Sequence, residues 1–135
     1  MESKTFLDFL PTNFRHEKSF FIQHNLTDFE ELSNLSDLDI NDIQRKSSLC
    51  TLNNLKKIRA IAIFKKEIGI SPSQAYLLLH CGISSIKSLS LSTPHELERK
   101  IGRLERNLRV KNETDTTFSL LKEWIKKACQ INKST

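Results

Sequence analysis

Five cationic side chains lie close together near the C-terminal third of the chain. They are Arg99, Lys100, Arg103, Arg106 and Arg109. On a helix, spacings of four and three residues place Arg99, Arg103 and Arg106 on one face. Guanidinium groups form paired hydrogen bonds with phosphate and carboxylate oxygens, so this face has the chemistry of a polyanion-binding surface. The alternative is that these residues form only the solvated face of an amphipathic helix.

The other reactive residue types are not arranged for catalysis or metal binding. The four histidines show no HxxxH or HExxH spacing, and the three cysteines include no CxxC pair. The acidic residues within 37–42 lack the glycine and the distal glutamate of a calcium loop. Nucleophile-elbow, Walker and dinucleotide-binding patterns are absent from the sequence. We therefore expect no enzyme activity, no metal and no cofactor, with all three cysteines reduced.

The composition predicts a helical, globular chain. Its 135 residues are the size of one domain, 38% of them apolar and 27% charged. Three glycines and three prolines are too few for a β-sandwich with many tight turns. Neither a run of about 18 apolar residues nor a leader pattern at Met1–Lys4 is present, so we expect a cytoplasmic protein with no membrane partner.

Capping signals and apolar spacing locate the helices. Thr27–Glu30, Ser71–Gln74 and Thr93–Glu96 match the capping box, and a weaker signal begins at Ser36. The apolar spacing predicts helices over 51–68, after Thr93-Pro94, and over 117–131, with Gly69 ending the first of these in a left-handed cap. The polar segment 109–116 is predicted to be a loop. The expected core is listed here: Phe20, Phe21, Leu26, Phe29, Leu32, Ile40, Ile58, Leu77, Leu78, Ile83, Ile86, Leu89, Leu97, Ile101 and Trp124.

The chain repeats its apolar pattern at a shift of 57 residues. Phe20-Phe21-Ile22 then aligns with Leu77-Leu78-Leu79, and Phe29 aligns with Ile86. The register slips by one near Ile43, and the shift becomes 66 in the last part of the chain. The pattern predicts an all-α fold of two pseudo-repeated helical units, residues 5–62 and 63–131, packed as a single domain over 1–135.

The second unit resembles a helix-hairpin-helix motif. Residues 67–78, EIGISPSQAYLL, have the order of an apolar residue, glycine, an apolar residue and a small residue before a helix with alanine on its packing side. With Trp124-Ile125 and Ala128 near the end, the run is similar to the tandem helix-hairpin-helix domains and closest to the domain of unknown function 4332. The resemblance covers residues 64–131 well and the first unit only in its apolar skeleton, and it implies a bundle of the SAM or helix-hairpin-helix type.

The resemblance also implies a site. In that motif, backbone N–H groups at the start of a helix donate to phosphates without reading bases. Here the corresponding positions are Gly69, Ile70, Ser71 and Ser73, with Lys65 and Lys66 beside them. Ser71 stands where the motif commonly has its second glycine, and the first unit has none at this point. The alternative interpretation is that Gly69 and Ser71 only cap two helices.

Two functions remain open at this stage. The basic residues favour a module that binds nucleic acid, DNA rather than RNA, through phosphates and without a small-molecule substrate. The charge distribution favours a protein-interaction or adaptor domain as the alternative, because residues 1–50 carry 5 basic and 9 acidic side chains while the remaining residues carry 16 and 7. Opposite charge on two halves can dock a partner protein or a second copy.

Overall fold

The structure, a computed structural model, describes residues 6–108 and 117–133, with the backbone alone for residues 105–108. Every regular element in these ranges is helical, which confirms the predicted all-α class. Two short 3-10 helices, Phe6–Phe9 and Thr12–Phe14, precede the first α-helix. The α-helices are α1 (Arg15–Gln23), α2 (Phe29–Ser33), α3 (Asp37–Lys46), α4 (Leu52–Glu67), α5 (Pro72–His80), α6 (Ile86–Ser90), α7 (Pro94–Leu108) and α8 (Phe118–Lys133).

The chain divides after α4 into two compact units. Unit 1 is Met1–Glu67 and unit 2 is Ile68–Thr135. In unit 1, α2 packs along α4 and α3 packs beside it. Leu32, Ile40 and Ile58, one from each of these helices, are fully buried. Burial of aliphatic side chains such as these stabilises unit 1.

A buried carboxylate joins the start of α1 to the start of α4. Glu17 is 1% exposed, and its Oε2 accepts a hydrogen bond from the Thr51 backbone N–H at 2.9 Å. Its Oε1 accepts from Asn54 Nδ2 at 3.3 Å. The negative charge therefore lies at the N-terminus of α4, where unpaired N–H groups and the helix dipole stabilise an anion.

In unit 2, α6 and α7 pack on α8, and α5 contacts α7. The predicted capping box at Ser71 is confirmed, with Pro72 in the first turn of α5, and the weaker signal at Ser36 is a capping box as well. Ser85 caps α6 in the same way, which the sequence analysis did not predict. The expected cap at Thr27 is wrong, because the adjacent Asp28 is the N-cap of α2 and its side chain accepts from the Glu30 N–H. A carboxylate and a hydroxyl are both good caps, and here the carboxylate takes the position.

The helices of the two units follow one another at the shifts found in the sequence. A shift of 57 carries Arg15–Gln23 onto the bounds of α5 and Phe29–Ser33 onto those of α6, and a shift of 66 carries Leu52–Glu67 onto those of α8. The turns after α1 and α5 also correspond, because Asn25 (φ 57°) and Gly82 (φ 86°) both have left-handed backbone. The helix-hairpin-helix character of these units stays a prediction.

Eleven of the fifteen expected core residues are buried. The exceptions are half-buried, namely Leu26, Phe29, Leu77 and Ile86. The structure adds side chains that the expected core omitted, including Leu7 and Phe14 from the two 3-10 helices. No helix in the described ranges has both the length and the apolarity that a membrane span requires.

Candidate nucleic-acid interface

Four of the five clustered cationic residues lie on α7, namely Arg99, Lys100, Arg103 and Arg106. Its first turn is capped by Thr93, whose Oγ1 accepts from the Glu96 N–H at 3.3 Å, and Pro94 is the first residue of the helix. Leu97 is 1% exposed and Ile101 4% exposed. Burial of this stripe against the rest of unit 2 fixes which face of α7 is turned to solvent.

Arg99 and Arg103 are exposed on the side of α7 that faces away from this stripe, and Lys100, also exposed, lies beside the stripe. Lys100 Nζ lies 3.5 Å from Glu96 Oε1, so an acidic neighbour partly neutralises it. Arg99 and Arg103 have no ion pair within the described part of the chain. Arg106 belongs to α7 by its backbone, while its side chain, like the whole of Arg109, lies outside the described residues.

The predicted hairpin lies between α4 and α5, where two caps follow each other. Gly69 has φ 88°, and a Cβ at this position would meet no atom within 4 Å. The glycine is therefore required by its backbone conformation and not by a close approach of another group. The predicted left-handed cap after α4 is confirmed.

Most N–H groups at the start of α5 are already engaged. Ser71 N–H donates to Gln74 Oε1 at 3.3 Å, and the Gln74 N–H donates to Ser71 Oγ at 3.3 Å. Pro72 has no N–H to donate. In the first turn of α5, the Ser73 N–H takes no part in the capping box. Ile70 is fully buried, so this residue has only its backbone to offer a ligand.

Lys65 and Lys66 of unit 1 differ in their surroundings. Lys65 is half-buried, and its Nζ lies 5.1 Å from the centre of the Phe29 ring. This distance is that of a cation–π contact, which assigns Lys65 a packing role inside unit 1. Lys66, in the last turn of α4, is exposed.

Lys100 lies toward the end of α5 that is far from the hairpin. Burial raises the pKa of the Cys81 thiol at the C-terminal end of α5, and the charge of Lys100 opposes that rise. The hairpin is at the other end of this nine-residue helix, a length of about 14 Å. The hairpin and Lys100 are therefore associated with opposite ends of α5.

Helix α8 carries further lysines that the sequence analysis did not select. Lys122, Lys126 and Lys133 are exposed, while Leu121 and Trp124 are buried. Spacings of four and seven residues place the three lysines along one face of the helix. These spacings are the signal in the sequence that marks the lysines as one face. Lys127 forms an ion pair with Glu123 at 3.4 Å and lies outside this face.

The comparison with protein families gives one match. The model of the family described as Domain of unknown function (DUF4332) matches residues 11–131, which are 121 of the 135 residues. The chain belongs to the DUF4332 family. No curated protein and no solved structure matches the chain.

Membership in DUF4332 confirms the predicted resemblance to that family and assigns no ligand, because the family is defined without a function. The roles of residues in this DUF4332 domain therefore rest on its own geometry. The described residues contain no group of three or more histidine, cysteine or acidic side chains placed to hold a metal ion.

Proposed function

We propose that unit 2 of this DUF4332 domain is a non-catalytic module that binds the phosphates of DNA without base specificity. One observation carries the proposal. Arg99 and Arg103 are exposed, have no ion pair among the described residues, and stand opposite a buried stripe on the same helix. Two like charges one turn apart slightly destabilise an isolated helix, so their pairing is better explained by a polyanionic ligand than by stability.

The charge of the whole chain supports this placement. Unit 1 has ten basic and ten acidic side chains, whereas unit 2 has eleven basic and six acidic ones. The net charge of +5 of the chain therefore belongs to unit 2. Exposed lysines on α8 extend the positive charge beyond α7. An excess of positive charge on one unit attracts a polyanion over several ångströms and strengthens the phosphate contacts.

Phosphate contacts explain why base specificity is not expected. Arg99 and Arg103 lie on a helix whose other face is buried, and the hairpin offers only backbone and hydroxyl donors near Ser73. Contacts from these groups to phosphates fix a protein on the sugar-phosphate backbone and carry no sequence information.

The three free cysteines fit a reducing compartment, so we propose that this activity is cytoplasmic.

The test is fluorescence anisotropy with labelled duplex DNA, single-stranded DNA and duplex RNA. Two or three phosphate contacts predict that affinity for duplex DNA falls by about tenfold to fortyfold between 50 and 200 mM salt. The variant Arg99→Ala/Arg103→Ala should lose most of its affinity at the lower salt. The control variant Arg15→Ala/Lys56→Ala removes the same charge from exposed positions of unit 1 and should retain binding.

Two results would contradict the proposal. One is the absence of binding to any of the three nucleic acids at the lower salt concentration. The other is an equal loss of affinity in the two double variants, since that result would reflect net charge alone and not the surface of α7.

A second candidate function is a protein-interaction domain, and exposed apolar side chains favour it. Leu38 is 76% exposed and Leu49 62% exposed, and Phe9 and Ile22 are about half exposed. All four belong to unit 1, whose charges balance, and Leu91 of unit 2 is 74% exposed as well. Sedimentation velocity over a range of protein concentrations tests self-association, which Leu38→Asn should weaken if Leu38 contacts a second copy.

A further inference from the structure

We propose that a cleft in unit 1 binds a small ligand through its phosphate group. The cleft has a volume of about 380 Å³ and lies between α1 and the segment that follows α3. This volume is within the range of small-molecule binding sites in proteins. The cleft belongs entirely to unit 1, so the inference does not depend on the function proposed for unit 2.

The lining of the cleft is rich in hydrogen-bond donors and nitrogen bases. His16, His24 and Lys46 contribute two imidazoles and an ammonium group, and Ser19 and Ser47 contribute hydroxyls. None of the lining residues is acidic. A set of cationic and hydroxyl groups without a carboxylate matches a phosphate, which presents several acceptor oxygens and a negative charge.

Contacts inside unit 1 hold the two walls of the cleft together. Cys50 is 1% exposed, and its Sγ–H donates to the His16 carbonyl oxygen at 3.7 Å. The Cys50 backbone N–H donates to the Ser47 carbonyl oxygen at 3.2 Å. One buried residue thus connects α1 with the segment carrying Ser47. These bonds fix the two backbone segments that form the walls of the cleft, so ligand binding does not need to order them.

The ring of His24 is fixed in orientation. Its Nδ1 lies 2.9 Å from the Phe20 carbonyl oxygen, which can only accept, so Nδ1 carries the proton. The ring also stacks on the Phe20 ring with 4.0 Å between their centres. This arrangement leaves Nε2 as the nitrogen available to a ligand.

A phosphate oxygen at His24 Nε2 requires a proton between the two atoms. The neutral ring has only a lone pair at Nε2, so the proton of this hydrogen bond comes either from the ligand or from a protonated ring. His16 on α1 and Lys46 on α3 line the same cleft and offer donors to the remaining phosphate oxygens.

The experiment uses the full chain in NMR titrations with inorganic phosphate, sulfate, a nucleoside monophosphate and the matching nucleoside. We expect the side-chain resonances of His16 and His24 to shift, with a Kd near 1 mM or tighter for phosphate and the monophosphate and none for the nucleoside. Sulfate presents the same tetrahedral set of acceptor oxygens, and we expect it to shift the same two histidine side chains.

Variants localise the effect. Lys46→Gln should weaken phosphate binding about tenfold, whereas Lys56→Gln, an exposed lysine of α4 outside the cleft, should change it less than about twofold. Because Lys46 is exposed, its replacement should leave the amide spectrum of unit 1 otherwise unchanged. Ser19→Ala supplies a second variant on the opposite wall, with the same direction of change expected.

One further experiment distinguishes two sources of the phosphate, the end of a nucleic acid and a free nucleotide. In the Arg99→Ala/Arg103→Ala protein, a short oligonucleotide with a 5′-phosphate is compared with its dephosphorylated form. The cleft is assigned to a nucleic-acid end if the phosphorylated oligonucleotide binds more strongly than both its dephosphorylated form and the nucleoside monophosphate. It is assigned to a free nucleotide if the monophosphate binds as strongly as the phosphorylated oligonucleotide or more strongly. The proposal is overturned if phosphate at about 20 mM shifts neither histidine, if the nucleoside binds as well as the monophosphate, or if Lys46→Gln binds like the wild type.

Discussion

Replacement of Glu17 tests the internal architecture of unit 1. Glu17 is 1% exposed, and its two carboxylate oxygens accept from the Thr51 N–H and from Asn54 Nδ2. Alanine at this position leaves the part-buried Thr51 N–H without its acceptor and leaves Asn54 Nδ2 with the Asn13 carbonyl oxygen alone, and it removes the negative charge from the N-terminus of α4. Each of these changes destabilises the fold, because a donor that is partly shielded from water and loses its acceptor retains part of the cost of desolvation.

The magnitude follows from the number of contacts. Each hydrogen bond to a charged group contributes about 1.5–3 kcal/mol, with partial recovery through water in the variant, so Glu17→Ala should lower the free energy of unfolding by about 2–4 kcal/mol. Glu17→Gln keeps one acceptor oxygen and places an amide N–H₂ against the other donor. Its expected cost is about 1–2 kcal/mol.

Urea denaturation, monitored through the NMR peak intensities of unit 1 residues, measures these decreases in the free energy of unfolding. The control is Asp42→Ala, which removes an exposed carboxylate 3.8 Å from Arg45 and should cost less than about 0.5 kcal/mol. The double variant Glu17→Ala/Asn54→Ala should show a coupling of about 1 kcal/mol. A Glu17→Ala protein as stable as the control would refute the assignment of this carboxylate as a buried helix partner.

Further predictions concern packing, backbone and thiol chemistry. Leu78→Ala, at a fully buried position of α5, should lower the free energy of unfolding by about 2–5 kcal/mol in denaturant titration, and a loss under about 0.5 kcal/mol would show that its side chain faces solvent. Gly69→Ala should cost about 1 kcal/mol because of the positive φ alone, and a gain in melting temperature would contradict the assigned backbone. Burial raises the pKa of the thiols of Cys50 and Cys81, so the reactive thiolate is scarce near neutral pH. Alkylation of both should be slower than that of a free cysteine at pH 7.5 and should accelerate as pH rises, and mass spectrometry of partially labelled protein gives the rates.

The helices could be predicted because their signals are local. Ser71 and Gln74 are three residues apart, and the capping box they form is written in the sequence around Pro72. The orientation of α7 follows from the spacing of Leu97 and Ile101, since a helix with one apolar face buries that face. The exposure of Arg99 and Arg103 could be predicted for the same reason.

What the sequence did not show depends on distant contacts. Glu17 is buried because it meets residues 34 and 37 positions away, and no local pattern marks such a carboxylate as internal. Phe29 is half-exposed and covered by Lys65, which comes 36 residues later. The sequence also does not show which N–H groups of the hairpin are available to a phosphate, because the hydrogen bonds between Ser71 and Gln74 decide this. The cleft beside His24 unites two segments that have no motif in common.

The salt dependence of DNA binding tests the central claim most directly. For wild type, a plot of the logarithm of the association constant against the logarithm of salt concentration should be linear with a negative slope. Removal of Arg99 and Arg103 should reduce the steepness by up to about 1.8, and removal of Arg106 as well by up to about 2.7, with melting temperatures within a few degrees of wild type. A wild type that does not bind duplex DNA, or variants whose slope equals that of wild type, would contradict the assignment of α7 as a phosphate-binding surface.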